Sequence, residues 1–320
     1  MAKEKKEGQK FRTSIGGQAL IEGILMRGPG KQAIVVRSPD GLVEKVEELT
    51  LVRDKYPVLG LPIIRGAVTF VDSMVKGVKA LMFSADYFPE DDPAQPGKFE
   101  QWLEKKLGNE KMEKAVVVLA VILSLLMTIG LFFLLPTFLA GFIDPFIQSA
   151  ALHNLVESAI KLLIFTGYLL LCSKQKDIQR VFQYHGAEHK TIFCYEAGLP
   201  LTVENARIQP RHHPRCGTSF LFVVVVVSIL VSSVVFSFVD WRNMWVRMGL
   251  HLLLLVPVVG ITYEFNRYVG GHDNPVTNFL ARPGLWLQNF TTNEPDDSML
   301  EVAIRALELV IPEEKGKDNW

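Results

Sequence analysis

Two stretches without a charged residue limit what this chain can fold into. Ala115 to Ile143 runs for 29 residues and Thr218 to Val239 for another 22 with no Asp, Glu, Lys or Arg. Roughly 20 apolar residues in a helix cross the hydrocarbon core of a bilayer, so either stretch is long enough. In hydrocarbon every backbone N–H and C=O needs an internal partner, which a helix supplies. Two weaker stretches follow the same logic. Leu155 to Cys172 contains Glu157 and Lys161, an i, i+4 pair that can neutralise each other or snorkel. Trp245 to Phe265 is interrupted by His251, Pro257 and Glu264. The pattern predicts a polytopic α-helical membrane protein with about four transmembrane helices, placed in the plasma membrane with the lipid bilayer as its first partner.

The basic residues orient the spans. Phe142 to Asn154 has no Lys or Arg, whereas Ser173 to Gly217 has seven. Positive charge collects on the cytoplasmic side, so the first connection is expected outside and the second inside, with both termini cytoplasmic. The chain of 320 residues balances 34 basic against 34 acidic residues, which leaves no polybasic signature for nucleic acid. Three cysteines cannot pair completely and fit no disulfide framework, which favours a reducing side for the polar segments. The opening MAKEKKEGQKFRTS has no apolar core and does not read as a secretory signal.

Four regions follow from these boundaries. Residues 1–14 read as a charged, mobile tail. Residues 15–114 read as a cytoplasmic β-rich, α+β region. Gln18 to Met26, Gln32 to Arg37 and Leu42 to Leu51 are short runs separated by Gly28-Pro29-Gly30 and the turn Ser38-Pro39-Asp40-Gly41, predicting a small antiparallel sheet of three or more strands. Glu22 and Arg27 are charges among apolar residues beside glycines, read either as a surface ion pair or as functional groups. From Gly66 to Phe83 the apolar period changes to three and four, giving an amphipathic helix that packs on the sheet or lies in the membrane interface. Glu90 to Gly97 reads as a linker and Lys98 to Lys114 as a polar helix. Residues 115–265 form the membrane domain, with a cytoplasmic motif loop at 173–217. Residues 266–320 form a cytoplasmic C-terminal segment, rich in Gly, Pro and Asn up to Asp296 and then a short amphipathic helix ending before Pro312.

The chemistry concentrates in the motif loop. Tyr184 to Lys190 reads YHGAEHK, and on a helix His185, Glu188 and His189 share one face. H-x-x-E-H is the inverted form of the zinc-protease helix motif, two imidazole ligands with a carboxylate beside them. RHHPRCG then brings His212, His213 and Cys216, so four of the seven histidines and two of the three cysteines fall within 32 residues. Such donors suit a divalent metal, zinc above all. With His185, His189 and one further ligand, a fourth position stays open for water, and Glu188 is placed to take its proton. Cys216, His213 and Glu264 are the candidates for the further ligand. If His185, His189, His213 and Cys216 all bind, the site is closed and structural. A Cys216 nucleophile with His213 as base is a third arrangement.

Four blocks, GGQALIEGILMRGP (16–29), YHGAEHKTIFCYEAG (184–198), HPRCGTSF (213–220) and LQNFTTNEPDD (287–297), together resemble the YqhQ-like family of bacterial membrane proteins. That family carries a label of predicted metal-dependent enzyme. The resemblance implies functional positions at His185, Glu188, His189, His213 and Cys216 and supplies no substrate. Two functions stay open. One is a metal-dependent hydrolase at the cytoplasmic membrane surface, acting on a lipid, peptide or nucleotide-like substrate. The other is a non-enzymatic subunit of a membrane complex or of membrane-protein biogenesis, docking membrane-protein partners, with a structural His/Cys cluster. A transporter has less to work with, given few intramembrane charges and no internal repeat.

Overall fold

A computed structural model describes residues 11–50, 56–88, 109–147, 149–239 and 243–320. Much of the charged tail, the linker at 90–97 and most of the polar helix expected at 98–114 lie outside those residues. The chain divides into two compact units, Met1–Phe88 with Leu169–Val224 and Val256–Trp320, and Pro89–Tyr168 with Val225–Leu255.

The first unit is built on a four-stranded antiparallel sheet in sequence order: β1 (Gly16–Leu20), β2 (Gly23–Arg27), β3 (Lys31–Ser38) and β4 (Gly41–Glu48). The run from Gln18 to Met26 is two strands rather than one. It reverses at Ile21-Glu22, where Leu20 pairs with Gly23 and Glu22 takes a φ of 49°. That conformation is uncommon for a residue with a Cβ, and no Gly or Asn marks the turn in the sequence. The last strand closes at Glu48, short of Leu51. Ser38 pairs with Gly41 across the expected turn.

Both faces of the sheet are covered, and the pleat divides its side chains between them. Ile24, Met26, Ala33 and Val35 pack with residues of α5 (Lys176–Glu196) and α10 (Asp297–Glu308), including Ala187, Ile192, Leu300 and Leu307. Leu25, Ile34 and Val36 pack on the other face with Ala80, Leu81 and Phe83 of α1 (Ile64–Ala85). The helix expected at 66–83 is therefore present and packs on the sheet through its C-terminal half. Its first turns pack close to α8 (Met244–Gly271): a Cβ on Gly66 would lie 2.7 Å from Tyr263 Cβ, and one on Gly260 would lie 2.4 Å from the Ile63 carbonyl.

Four helices are long and apolar enough to cross a membrane, over Ala115–Gly141, Ala150–Cys172, Gly217–Val235 and Met244–Gly271. They support a membrane protein. The first comprises α2 (Asn109–Ile129), one π turn at Gly130–Leu134 and α3 (Leu135–Gly141), with Pro136 directly after the π turn. The others are α4 (Ala150–Cys172), α7 (Gly217–Val235) and α8. The third span ends at Val235 rather than Val239, and the fourth continues past Phe265 to Gly271. Glu157 and Lys161 do not bond each other. In the second unit Glu157 pairs with Arg247 and His251, and Lys161 reaches Ser228.

The Gly-, Pro- and Asn-rich stretch after the fourth span holds a 17-residue helix, α9 (Pro275–Thr291). Its start is a reciprocal cap: the Asn274 side chain accepts from the Val276 and Thr277 amides while Thr277 Oγ1 accepts from the Asn274 amide. Pro275 occupies the first turn, where proline is at home, and Pro283 is tolerated inside the helix. The motif loop at 173–217 is mostly helical too, comprising α5 and the short α6 (Val203–Arg207). α5 ends in a Schellman turn, with Gly198 at φ 68° and the Leu199 amide donating to the Cys194 carbonyl.

Candidate functional site

α5 carries His185 and His189 one turn apart, their ring centroids 4.4 Å from each other. The chain after α6 folds back so that Cys216, immediately before α7, meets them. Cys216 Sγ lies 3.0 Å from His185 Nε2, and one donor atom from each of His185, His189 and Cys216 falls within 4.8 Å of the others. Main-chain groups fix both rings. His185 Nδ1 lies 2.8 Å from the Thr291 carbonyl and His189 Nδ1 lies 2.5 Å from the Arg211 carbonyl. A carbonyl only accepts, so each Nδ1 carries a proton and Nε2 is the atom left to face the sulfur. This is the backing that a metal-ligating histidine uses.

A glycine makes the first of these contacts possible. Gly186 lets the chain after α9 lie directly on α5, since a Cβ there would stand 2.1 Å from the Asn293 carbonyl oxygen. The Asn293 amide donates to the Phe182 carbonyl at 2.9 Å, which pins the crossing. Gly17 does the same for the sheet: its amide donates to Glu188 Oε1 at 2.9 Å, where an added Cβ would lie 3.1 Å from the Glu188 carboxyl carbon. Glu188 is thereby buried beside the cluster and held by strand β1.

Charge follows from this crowding. Burial opposes ionisation of Cys216, but His185 and His189, together with hydrogen bonds from them, bring its thiol well below its ordinary value. Burial also works against a charged His185; the Cys216 sulfur, Glu188 and the Thr291 carbonyl outweigh it and raise its pKa to about 9. For Glu188 burial dominates and pushes the carboxyl up, against the pull of the two histidines. Sulfur is therefore available as thiolate, the form that binds metals and attacks electrophiles.

Other sequence candidates lie elsewhere. His213 turns away: its Nδ1 accepts from the Arg215 amide at 3.3 Å and its Nε2 sits 3.8 Å from Glu196, with its ring 5.5 Å from that of His189. Its main-chain amide is held by Gln288, and burial lowers its pKa to about 4. It belongs to a support network rather than to the donor cluster, so the closed four-ligand site and the Cys216–His213 dyad both lack their geometry. His212 is partly buried, and its Nε2 has no hydrogen-bond partner among the described residues. Glu264 is bound to Arg65, whose Nε donates at 2.6 Å, and also accepts from the Ile63 amide at 3.4 Å; it does not approach the cluster. Glu22 and Arg27 do not pair with each other. Glu22 takes Arg180 and the Tyr184 hydroxyl on α5, whereas Arg27 donates to Ser73 Oγ on α1 at 3.0 Å. Sequence reading missed the backing atoms, the carbonyls of Thr291 and Arg211, which carry no residue-type signal. Gly17 and Gly186 stood inside the quoted blocks and marked where backbones meet.

A polar cleft of about 630 Å³ lies in the first unit between the start of α5 and the end of α9. Lys176, Gln179, Arg180, Gln183, Asn289 and Asn293 are among its lining residues. None of the three donor residues lines it.

Fold and site together define a class: a helical membrane protein whose sheet-bearing unit holds a His/His/Cys cluster against a buried glutamate. The chain belongs to the family described as protein of unknown function DUF1385, whose model matches residues 61–313. It is similar to the "Uncharacterized protein YqhQ" of Bacillus subtilis (strain 168), 36% identical over 302 residues, covering 93% of this chain and 92% of that protein. The resemblance drawn from the four sequence blocks is thus established. No solved structure matches the chain.

Proposed function

We propose that this protein is a membrane-bound, metal-dependent hydrolase in which His185, His189 and Cys216 hold a divalent cation. One observation carries the reading: both imidazoles have Nδ1 committed to main-chain carbonyls, which leaves two Nε2 atoms and the Cys216 sulfur within 4.8 Å of one another. Two nitrogens and a sulfur match the catalytic three-ligand pattern of zinc. When bound, zinc in such a site supplies Lewis acidity that polarises a carbonyl or phosphoryl group and acidifies water. Glu188 is the proton acceptor, held by the Gly17 amide and made more basic by burial. The charge contrast between the connections around the second span supports a cytoplasmic site and cytoplasmic termini, and the adjoining spans make a lipid or a membrane-delivered peptide the natural substrate class.

A second reading rests on the 3.0 Å contact between Cys216 and His185, which also suits a nucleophilic thiolate with a histidine base. In that reading His189 has no task, although its tautomer is fixed with equal care. Elemental analysis of the purified full chain separates the two. The metal reading expects about one zinc per chain, lost in His185→Ala and Cys216→Ser and kept in Glu188→Gln. A metal-free wild type whose Cys216 is alkylated rapidly at neutral pH would assign the dyad. A metal-free, unreactive protein would leave the partner-docking subunit.

A further inference from the structure

The second unit buries an ionic cluster that the His/Cys site does not use. Glu157 on α4 is its hub. Oε1 accepts from Thr137 Oγ1 at 2.8 Å and lies 2.6 Å from His251 Nε2, while Oε2 accepts from Arg247. Both carboxylate oxygens are engaged. Arg247 uses Nη2 for Glu157 and for Asn154 Oδ1 at 3.1 Å, and its guanidinium stands over the Phe236 ring. Its Nε and Nη1 have no acceptor among the described residues. Lys161, one turn beyond Glu157, donates to Ser228 Oγ at 3.4 Å and lies 5.8 Å from the centre of the Phe133 ring. All four ionisable groups are sealed: Arg247 is 2% exposed, and Glu157, Lys161 and His251 are each 3% exposed.

Basic groups outnumber the acidic one. Arg247, Lys161 and His251 set three basic side chains around the Glu157 carboxylate, and the guanidinium among them stays protonated. Unpartnered N–H donors are costly within helices that cross a membrane, and ionisable residues kept there mark binding or conduction sites. Several anionic oxygens on one small group would meet both needs, balancing the excess of basic groups and accepting from Nε, Nη1 and Lys161 Nζ. Depth narrows the source. Arg247 is three residues from the start of α8, Thr137 four from the end of α3, and Glu157 seven and Lys161 eleven from the start of α4. At 1.5 Å per residue the first three lie about 5 to 10 Å inside the helix ends, the level of the headgroup and acyl boundary; Lys161 lies about 16 Å in, and its long side chain can reach back toward that level.

We infer that Arg247, Lys161 and the Glu157 hub form an intramembrane site for the phosphate of an anionic lipid headgroup. The inference does not depend on the metal reading. Full-length protein, delipidated in detergent, is titrated with phosphatidylglycerol, with phosphatidylcholine and separately with inorganic phosphate. Binding is followed by native mass spectrometry and thermal unfolding. Wild type should bind phosphatidylglycerol in preference to phosphatidylcholine and unfold at a higher temperature when it does. Lys161→Met leaves the Glu157–Arg247 pair intact. It should be at least as stable as wild type without lipid, because it removes a buried basic group that the carboxylate does not balance, yet bind phosphatidylglycerol roughly tenfold more weakly. A structural lysine would give the opposite pair of results. Equal binding of the two lipids by wild type, or unchanged phosphatidylglycerol binding in Lys161→Met, overturns the site. Stabilisation by inorganic phosphate with no lipid bound would overturn the lipid source and reassign the site to a free oxyanion.

Discussion

Gly186→Ala tests whether the crossing of the chain over α5 builds the site. An added Cβ would stand 2.1 Å from the Asn293 carbonyl oxygen, whereas real Cβ atoms essentially never come within 3.0 Å of a neighbour. The obstacle is backbone, so either α5 or residues 291–295 must move by about 0.9 Å. The crossing is tied by the Asn293 amide to Phe182 and by His185 Nδ1 to Thr291, so that movement loosens one or both. Overpacking costs ~1–3 kcal/mol, while replacing glycine inside a helix returns ~1 kcal/mol. The net destabilisation is then ~0–2 kcal/mol, small enough for the protein to fold. Metal binding should suffer more, because loss of the partner that orients a ligating histidine costs ~10- to 100-fold in affinity. Competition against a chromophoric chelator gives the affinity and thermal unfolding gives the stability. Gly167→Ala on α4, with nothing within 4 Å of the new Cβ, is the control. Wild-type metal affinity in Gly186→Ala would refute the idea that the Thr291 carbonyl positions His185.

Glu264→Gln should leave metal content at the wild-type level, since Glu264 is engaged by Arg65 and Ile63. Its partly exposed ion pair should cost no more than ~1 kcal/mol in thermal unfolding. A chelator in excess should lower the unfolding temperature of wild type but not of Cys216→Ser; at a free metal concentration of ~1,000 Kd the bound ion contributes ~4 kcal/mol. Burial raises the Glu196 carboxyl, but His213, the Arg215 guanidinium and the Thr13 amide more than offset it and hold the carboxyl below the usual range. Its folded pKa lies under the unfolded value near ~4.3. The stability it contributes is therefore present above that value and is lost as pH falls through the folded one. Glu196→Gln should flatten this acid limb in unfolding curves recorded from pH 6 down to ~3, and an unchanged limb would remove Glu196 from the account.

What the sequence shows of the fold depends on how local the cause is. The four apolar helices are local, since the length of an uncharged run and the demand for internal backbone hydrogen bonds fix them without reference to neighbours. The sheet was visible in outline because turn residues punctuate it. Its first reversal was hidden, because Glu22 takes a left-handed conformation that its contacts with Arg180 and Tyr184 hold in place. α9 was hidden for a different reason. Asn274 and Pro275 belong to the start of a helix rather than to a loop, and composition alone does not separate the two uses. The partners of Glu157 were equally out of reach, since Arg247 and His251 lie about 90 residues away.

The donor cluster divides along the same line. His185 and His189 are a consequence of helical spacing, so five residues of sequence place them together. Cys216 joins them only because the chain after α6 folds back, which makes the third donor a tertiary fact even though residue type made it a candidate. His213 shows why proximity in sequence misleads here. Three residues before Cys216, it is claimed by Glu196, Arg215 and Gln288, whose buried groups need partners as much as a cation would. The atoms that then set the tautomers are backbone carbonyls, and the atom that holds Glu188 is the amide of Gly17. Side-chain identity at Thr291 and Arg211 contributes nothing to these hydrogen bonds, so substitution there should matter only as far as it moves the chain. The glycines are the reverse case. They donate no side chain, yet Gly17 and Gly186 admit the backbones that orient the cluster, which is why the short blocks containing them carry more of the site than their donor residues alone.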